Sequence, residues 1–243
     1  MEEFGLIGHP LTHSFSRTYF SEKFRKEGLH HCRYENFPLA SIDLLPDLLR
    51  AHPQLRGLNV TIPYKEAVIP LLDECTETVR EIGACNCISI QQGTLVGYNT
   101  DVVGFERTLV PHLQDHHRRA LILGTGGAAK AVEYVLSRLD IAWMYVSRKP
   151  SVQHLSYEQV TPEVLASYPL VINTTPLGMF PNVVEAPPIP YEALTPFHLL
   201  YDLIYNPPET LFLKKGARQG ATTVNGMDML IIQAEESWTI WNS

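Results

Sequence analysis

Short runs of β-branched and aromatic residues alternate along the chain with longer stretches whose apolar residues recur at helical spacing. Residues 4–8 read as a buried strand, and a helix follows from Ser16, as its N-cap, to a stop at Gly28. The pattern then predicts a strand over 32–37, a helix over 42–51 and a strand over 57–62. Two further apolar runs, 84–91 and 94–98, are separated by Gln92-Gly93, the spacing of a β-hairpin. Asp101 opens another helical segment, and the polar stretch 114–119 marks a boundary.

A second alternating set begins there: strand 120–123, helix 128–138, and strands 143–146, 170–173 and 199–203. Pro-rich 181–190 reads as a loop. At about 100° per residue, Met227, Leu230, Ile231, Ala234, Trp238 and Trp241 make one apolar stripe on a last helix, its expected core face. Strand–helix alternation is the pattern of parallel α/β structure, so the expected fold is α/β, with two lobes and a cleft between them.

Composition narrows what such a fold is for. The length of 243 residues fits one large domain or two small ones, and 45% hydrophobic with 19% charged residues is a globular balance. The net charge of −7 is evenly spread: residues 1–100 carry 9 basic and 12 acidic groups, residues 101–243 carry 10 and 14. Neither half is a basic surface, which argues against nucleic acid or an anionic membrane as main partner. The four cysteines form no CxxC pair and no zinc spacing, and the ten histidines form no HExxH, so no metal site is expected. Cys85 and Cys87 read as buried free thiols, whereas His30-His31 and His116-His117 read as surface residues. The start Met1-Glu2-Glu3 has no basic leader, and no 18 apolar residues run together; a soluble, cytoplasmic protein is expected. Ser14 lies in no nucleophile elbow, against a hydrolase.

Candidate chemistry begins at the second lobe, which opens Leu121-Ile122-Leu123-Gly124-Thr125-Gly126-Gly127-Ala128-Ala129. Gly124 allows a tight strand-to-helix turn, Gly126 allows close backbone approach to a pyrophosphate, and Ala129 is small enough for helix–strand packing. Amides at the helix start then face phosphate oxygens. The next strand runs into Ser147-Arg148-Lys149, with no acid for a ribose 2′-hydroxyl and two cations instead. Arg148 and Lys149 read either as a solvated pair or as a 2′-phosphate clamp; after the glycine turn, NADP is preferred over NAD. In the first lobe, Asn59 and Thr61 fall on one face of a strand, and Lys65 emerges past Pro63. That set suits a polyhydroxylated substrate, or equally a wet strand face with a surface lysine. Asp101 reads as a helix N-cap or, if the fold brings it to Lys65, as the carboxylate that orients a proton-donating lysine.

Taken together, the motifs resemble the shikimate dehydrogenase family along essentially the whole chain. The resemblance runs through Ile7-Gly8-His9-Pro10-Leu11-Thr12-His13-Ser14-Phe15-Ser16, Asn59-Val60-Thr61-Ile62-Pro63-Tyr64-Lys65, Gly83-Ala84-Cys85-Asn86-Cys87 and Asn99-Thr100-Asp101 with Gly104. It continues through the glycine turn, residues 173–179, residues 202–207 and residues 225–233. It implies a substrate-binding lobe (1–104 with a returning helix, 226–243) and a Rossmann-type NADP lobe (105–225). It implies Lys65 and Asp101 as catalytic pair, Ser14 and Ser16 on a substrate carboxylate, and Asn59, Thr61, Asn86, Asp101 and Gln233 on hydroxyls. Tyr205 would lie near the substrate, and Gly226 near the nicotinamide. Gly124, Gly126, Gly127, Ala128, Ser147, Arg148, Lys149 and Thr174 would complete the cofactor site.

The implied reaction is reversible reduction of 3-dehydroshikimate to shikimate by NADPH, in the shikimate pathway of aromatic amino-acid biosynthesis. The implied enzyme is a cytoplasmic monomer or homodimer whose partners are small molecules. The chain departs from the family pattern at Arg17, Cys87 and Ser147. A quinate/shikimate dehydrogenase using NAD is an alternative that Arg148 and Lys149 oppose. A non-catalytic NADP-binding sensor is another, opposed by the Lys65/Asp101 pair.

Overall fold

The computed structural model describes residues 1–11, 14–149 and 154–243; Thr12 and His13 of the opening motif lie outside the described residues. The chain divides into two compact units, Met1–Thr100 with Ala234–Ser243, and Asp101–Gln233. By compactness the first boundary is therefore at residue 100, ahead of the polar stretch 114–119.

In the first unit, β1 (Glu2–Gly8), β2 (Cys32–Pro38), β3 (Leu55–Val60), β4 (Glu74–Cys75), β5 (Cys87–Gln91) and β6 (Thr94–Tyr98) form one sheet, ordered β2-β1-β3-β5-β6-β4. The β1 strand is parallel to β2 and β3, whereas β5 is antiparallel to both β3 and β6. The β5–β6 hairpin turns on Gln92 and Gly93, both at positive φ, as a two-residue hairpin of this hand requires. The helices here are α1 (Phe15–Lys26), α2 (Leu45–Ala51), α3 (Tyr64–Ala67) and α4 (Glu77–Ile82). Period-two alternation sends Ile7, Leu58, Val60 and Ile88 into one core. Phe4, Leu6, Tyr34 and Cys87 go to the other, with Phe20 and Phe24 of α1.

In the second unit, β7 (Arg119–Leu123), β8 (Ala142–Val146), β9 (His154–Leu155), β10 (Leu170–Asn173), β11 (Leu199–Asp202) and β12 (Thr222–Val224) are all parallel. Their order, β12-β11-β10-β7-β8-β9, is 3-2-1-4-5-6 read from the other edge, the dinucleotide-binding topology. The helices are α5 (Asp101–Leu109), α6 (Gly127–Arg138), α7 (Pro162–Ser167) and α8 (Leu211–Arg218); α9 (Met227–Trp241) begins here and ends in the first unit.

Several expectations are corrected. Ser14, not Ser16, caps α1: its backbone is extended and its Oγ accepts from Arg17 N at 3.2 Å. The helix expected over 42–51 is a 3₁₀ turn followed by α2, with Pro46 at the α2 start. The β3 strand ends at Val60, so Thr61 lies past the strand, and the shared-face argument for Asn59 and Thr61 does not hold. His117 is buried, because its Nδ1 accepts from Gln114 N at 2.9 Å and its Nε2 faces Phe197 O at 3.3 Å. Finally, α9 buries Met229, Gln233, Ala234, Ser237 and Trp241, a face rotated from the expected stripe. Ala234 and Trp241 belong to both faces, and the buried bond from Asn59 Nδ2 to Ser237 Oγ draws the polar Ser237 inward.

Candidate active site

In the first unit, the polar residues singled out in the sequence are tied into one buried network. Tyr34 Oη donates to Asn59 Oδ1 at 2.9 Å. Burial holds the Tyr34 phenol well above its ordinary pKa, so it stays a donor. Asn59 Nδ2 donates to Ser237 Oγ at 2.9 Å and, at a longer 3.4 Å, to Asn86 O. Because a carbonyl only accepts, Nδ2 must face Asn86, and the Asn59 amide has one orientation.

Ser237 Oγ stands 3.4 Å from Thr100 Oγ1. Thr100 N in turn donates to Asn86 Oδ1 at 2.7 Å, while Asn86 Nδ2 donates to Thr100 Oγ1 at 3.1 Å. Ser237 and Trp241 reach this network by a match of repeats. Four residues of helix advance about 6 Å, and two residues of strand advance about 6.6 Å. Ser237 therefore meets Asn59 where Trp241 lies over Gly57, whose missing Cβ admits the indole; Trp241 Nε1 donates to Ile88 O at 3.0 Å.

Thr61 and Lys65 follow directly. Tyr64 N donates to Thr61 O at 2.9 Å, which starts α3, and Lys65 is half-buried at its second position. Lys65 O accepts from Cys85 N at 2.7 Å, so the helix bearing the lysine is pinned one residue from Asn86. Cys85 and Cys87 are free and buried, as expected, and burial pushes the Cys85 thiol up to about 12. Arg17 is exposed and paired with Glu35 at 3.2 Å.

In the second unit, the strand order reverses between β7 and β10, and the glycine turn leaves β7 at that switch point. Gly124 has φ +104, and a Cβ there would stand 2.9 Å from Thr174 Oγ1. Thr174 closes the other side, donating through Oγ1 to Leu123 O at 2.7 Å. A Cβ on Gly126 would meet nothing within 4 Å, so the space over the turn is open. Gly126 caps α6 with no side chain in the way, the α6 first turn holds no acid, and Gly127 and Ala128 begin the helix. First-turn amides lack intrahelical acceptors and carry the positive end of the helix dipole. Arg148 and Lys149 are exposed just past β8, and Ser147 Oγ accepts from Lys149 N at 3.2 Å. These residues fit a phosphorylated dinucleotide: an open glycine cradle, an acid-free helix start, and cations past the neighbouring strand.

At the ends of β10 and β11 lies a buried carboxylate that sequence reading missed. Asp202 Oδ1 accepts from Asn173 Nδ2 at 3.0 Å and Ile204 N at 3.1 Å, and Oδ2 accepts from Thr210 Oγ1 at 2.6 Å. Burial raises its pKa from 3.8 to about 6, against the pull of those donors. This fixes the loops bearing Thr174 and Tyr205; burial also raises the half-buried Tyr205 phenol. A Cβ on Gly226 would collide with Leu203 O, so only glycine lets α9 begin there. Asp101 is the buried first residue of α5, one place inside the helix from the N-cap position expected for it, which falls to Thr100. One turn on, a Cβ at Gly104 would lie 2.7 Å from Met229 O and 3.3 Å from Gln233 Cβ, which seats Gln233 beside α5. Asp101 and Gln233 thus belong to the second unit by compactness, and Ser14, Ser16, Asn59, Thr61, Lys65 and Asn86 to the first. Tyr34 and Ser237 were also invisible to pattern reading, since only the fold shows what they touch.

Residues 6–88 match the family model described as the shikimate dehydrogenase substrate binding domain. The NADP(+) shikimate dehydrogenase of Methanosphaera stadtmanae is 35% identical, over 98% of this chain and 90% of that protein. The enzyme of the same name from Carboxydothermus hydrogenoformans is 38% identical, over 97% and 90%. Among solved structures, shikimate 5-dehydrogenase of Thermus thermophilus in complex with NADP(H) and shikimate superposes with TM-score 0.87 and 29% identity, covering 99% of this chain and 93% of that one. Ligand-free 5-ketofructose reductase of a Gluconobacter species superposes at TM-score 0.83 with 29% identity, covering 99% and 92%. With relatives this similar across nearly its full length, the chain belongs to the shikimate dehydrogenase family.

Proposed function

We propose that this chain is an NADP-dependent shikimate dehydrogenase, interconverting 3-dehydroshikimate and shikimate in the pathway to the aromatic amino acids. The carrying observation is the open glycine cradle at the switch point, followed past β8 by Arg148 and Lys149 rather than an acid. Residues 1–104 with 226–243 form the substrate-binding domain in this reading, and 105–225 the cofactor domain. Gly124, Gly126, Gly127, Ala128 and Thr174 would hold the diphosphate, Ser147, Arg148 and Lys149 the 2′-phosphate, and Gly226 would lie near the nicotinamide. NADP, when bound, exchanges a hydride with the carbon that bears the reacting oxygen.

The chain's own residues do the rest. Reduction of the carbonyl leaves an alkoxide that must gain one proton; Lys65 gives it, and in the reverse direction takes it back. Asp101 orients the ammonium and stabilises its charge. Ser14 and Ser16 hold the substrate carboxylate with neutral donors, and Asn59, Thr61, Asn86 and Gln233 grip the hydroxyls beside Tyr205. Among the described residues no helix is long and apolar enough to cross a membrane. A cytoplasmic monomer or homodimer belongs to this reading.

Shikimate-dependent reduction of NADP⁺ and NAD⁺, followed by absorbance, tests it. Turnover with kcat/KM at least about tenfold higher for NADP⁺ is expected, the worth of one charge-assisted clamp. No turnover with either cofactor overturns the enzyme reading, and equal efficiencies overturn the 2′-phosphate clamp.

A further inference from the structure

We propose that Ser237 and Tyr34 are positioning residues for substrate: together they lock the Asn59 carboxamide, and Ser237 ties that lock to Asn86. The inference rests on the reading of Asn59 and Asn86 as hydroxyl-binding residues. It assigns work to two residues that need not touch a ligand.

A carboxamide grips a hydroxyl well only if its oxygen and nitrogen ends are fixed. Asn59 is fixed at both. Its Oδ1 is taken by the Tyr34 hydroxyl at 2.9 Å and its Nδ2 by Ser237 Oγ at 2.9 Å. The remaining N–H makes only the 3.4 Å contact to Asn86 O, the loosest of the set and the one a ligand hydroxyl can recruit. Ser237 is fully buried and Tyr34 is 3% exposed, so water cannot replace either partner. Ser237 also stands 3.4 Å from Thr100 Oγ1, and Thr100 in turn fixes the Asn86 amide through its N–H at 2.7 Å. One hydroxyl on the last helix thereby joins the two asparagines that approach from β3 and from the segment before β5. That helix stretch is itself seated by Trp241 over Gly57, two residues before Asn59. Docking of the chain's end is thus read directly at the hydroxyl-binding amides.

The test compares wild type, Ser237→Ala, Tyr34→Phe and the double variant in steady-state kinetics and thermal unfolding. Both substitutions only remove an oxygen, so at least one folded variant is expected. Losing one buried partner of Asn59 should raise KM for shikimate about tenfold in either single variant. KM for NADP⁺ should stay within about twofold. Because both residues act on one amide, the double variant should lose less than the product of the single losses. Lower unfolding temperatures with both KM values unchanged mean a merely structural role and overturn the proposal, as does an equal rise in both KM values. Absence of shikimate turnover by wild type overturns the functional reading and the positioning role with it. Turnover by wild type with unaltered variants overturns the positioning role alone.

Discussion

In the proposed reaction Lys65 supplies the proton, a role that the amides and hydroxyl proposed to hold the substrate cannot take. Thr61, Asn59 and Asn86 can accept or share hydrogen bonds, but among these four residues Lys65 is the general acid able to deliver a full proton to an alkoxide. Removing it should therefore lower kcat by about 10²–10⁴-fold, the usual worth of a positioned general acid. KM for shikimate should change little, because the carboxylate and hydroxyl contacts remain. The fold should tolerate the change. The α3 helix is held by main-chain bonds from Tyr64 N to Thr61 O and from Cys85 N to Lys65 O, both of which survive truncation. Steady-state kinetics of Lys65→Ala, with its unfolding midpoint as control, checks this. A folded variant with near-wild-type kcat refutes the proton-transfer role.

Elements position these groups through close approaches that a single Cβ would spoil. The sharpest is the seat of α9 on β3, where a methyl at Gly57 would collide with Nε1, Cδ1 and Cε2 of the Trp241 indole. That ring is rigid, buried and anchored to Ile88 O, so it cannot swing aside. Gly57→Ala should cost about 2–3 kcal/mol, an overpacking penalty, measured by urea unfolding; an unchanged midpoint would show the seat to be loose. The same contacts explain what the sequence could and could not announce. The glycine turn is legible because Gly124 at φ +104, the open side of Gly126 and the following helix are backbone demands met by neighbouring residues. The hairpin at Gln92-Gly93 is legible for the same reason. By contrast, β4 and β9 are two residues long and β12 three, held by pairing with distant strands and too short to show a period. His117 in a polar stretch and Ser237 on an aromatic helix look like surface residues. Each is buried by a partner at least 80 positions away, Phe197 O and Asn59. Local periodicity carries no trace of such partners.

Across the whole molecule the charge is −7, yet the proposed ligands are anions, so their recognition is local rather than a property of the surface. Buried charge is scarcer still, and Asp202 shows what it does to global stability. Its carboxyl is fully buried beneath the loops of Thr174 and Tyr205, and burial lifts its pKa from 3.8 to about 6. The raised value means the folded state holds this proton more tightly than the unfolded chain does. Below about pH 4 the group is protonated in both states and its full contribution is present. Between about pH 4 and pH 6 the unfolded chain has released the proton and the folded protein has not, so stability falls as pH rises. Above about pH 6 the loss levels off at about 3 kcal/mol, roughly two pKa units at 1.36 kcal/mol each. An Asp202→Asn variant stays neutral throughout and keeps an oxygen for Asn173 and Ile204, so its stability should lack this component. Urea unfolding of both proteins from pH 4 to pH 8 isolates it, because every other titrating group cancels in the difference. The wild type should lose about 3 kcal/mol relative to the variant across that window. Parallel curves would mean that Asp202 titrates at its ordinary value, and that its three donors offset its burial.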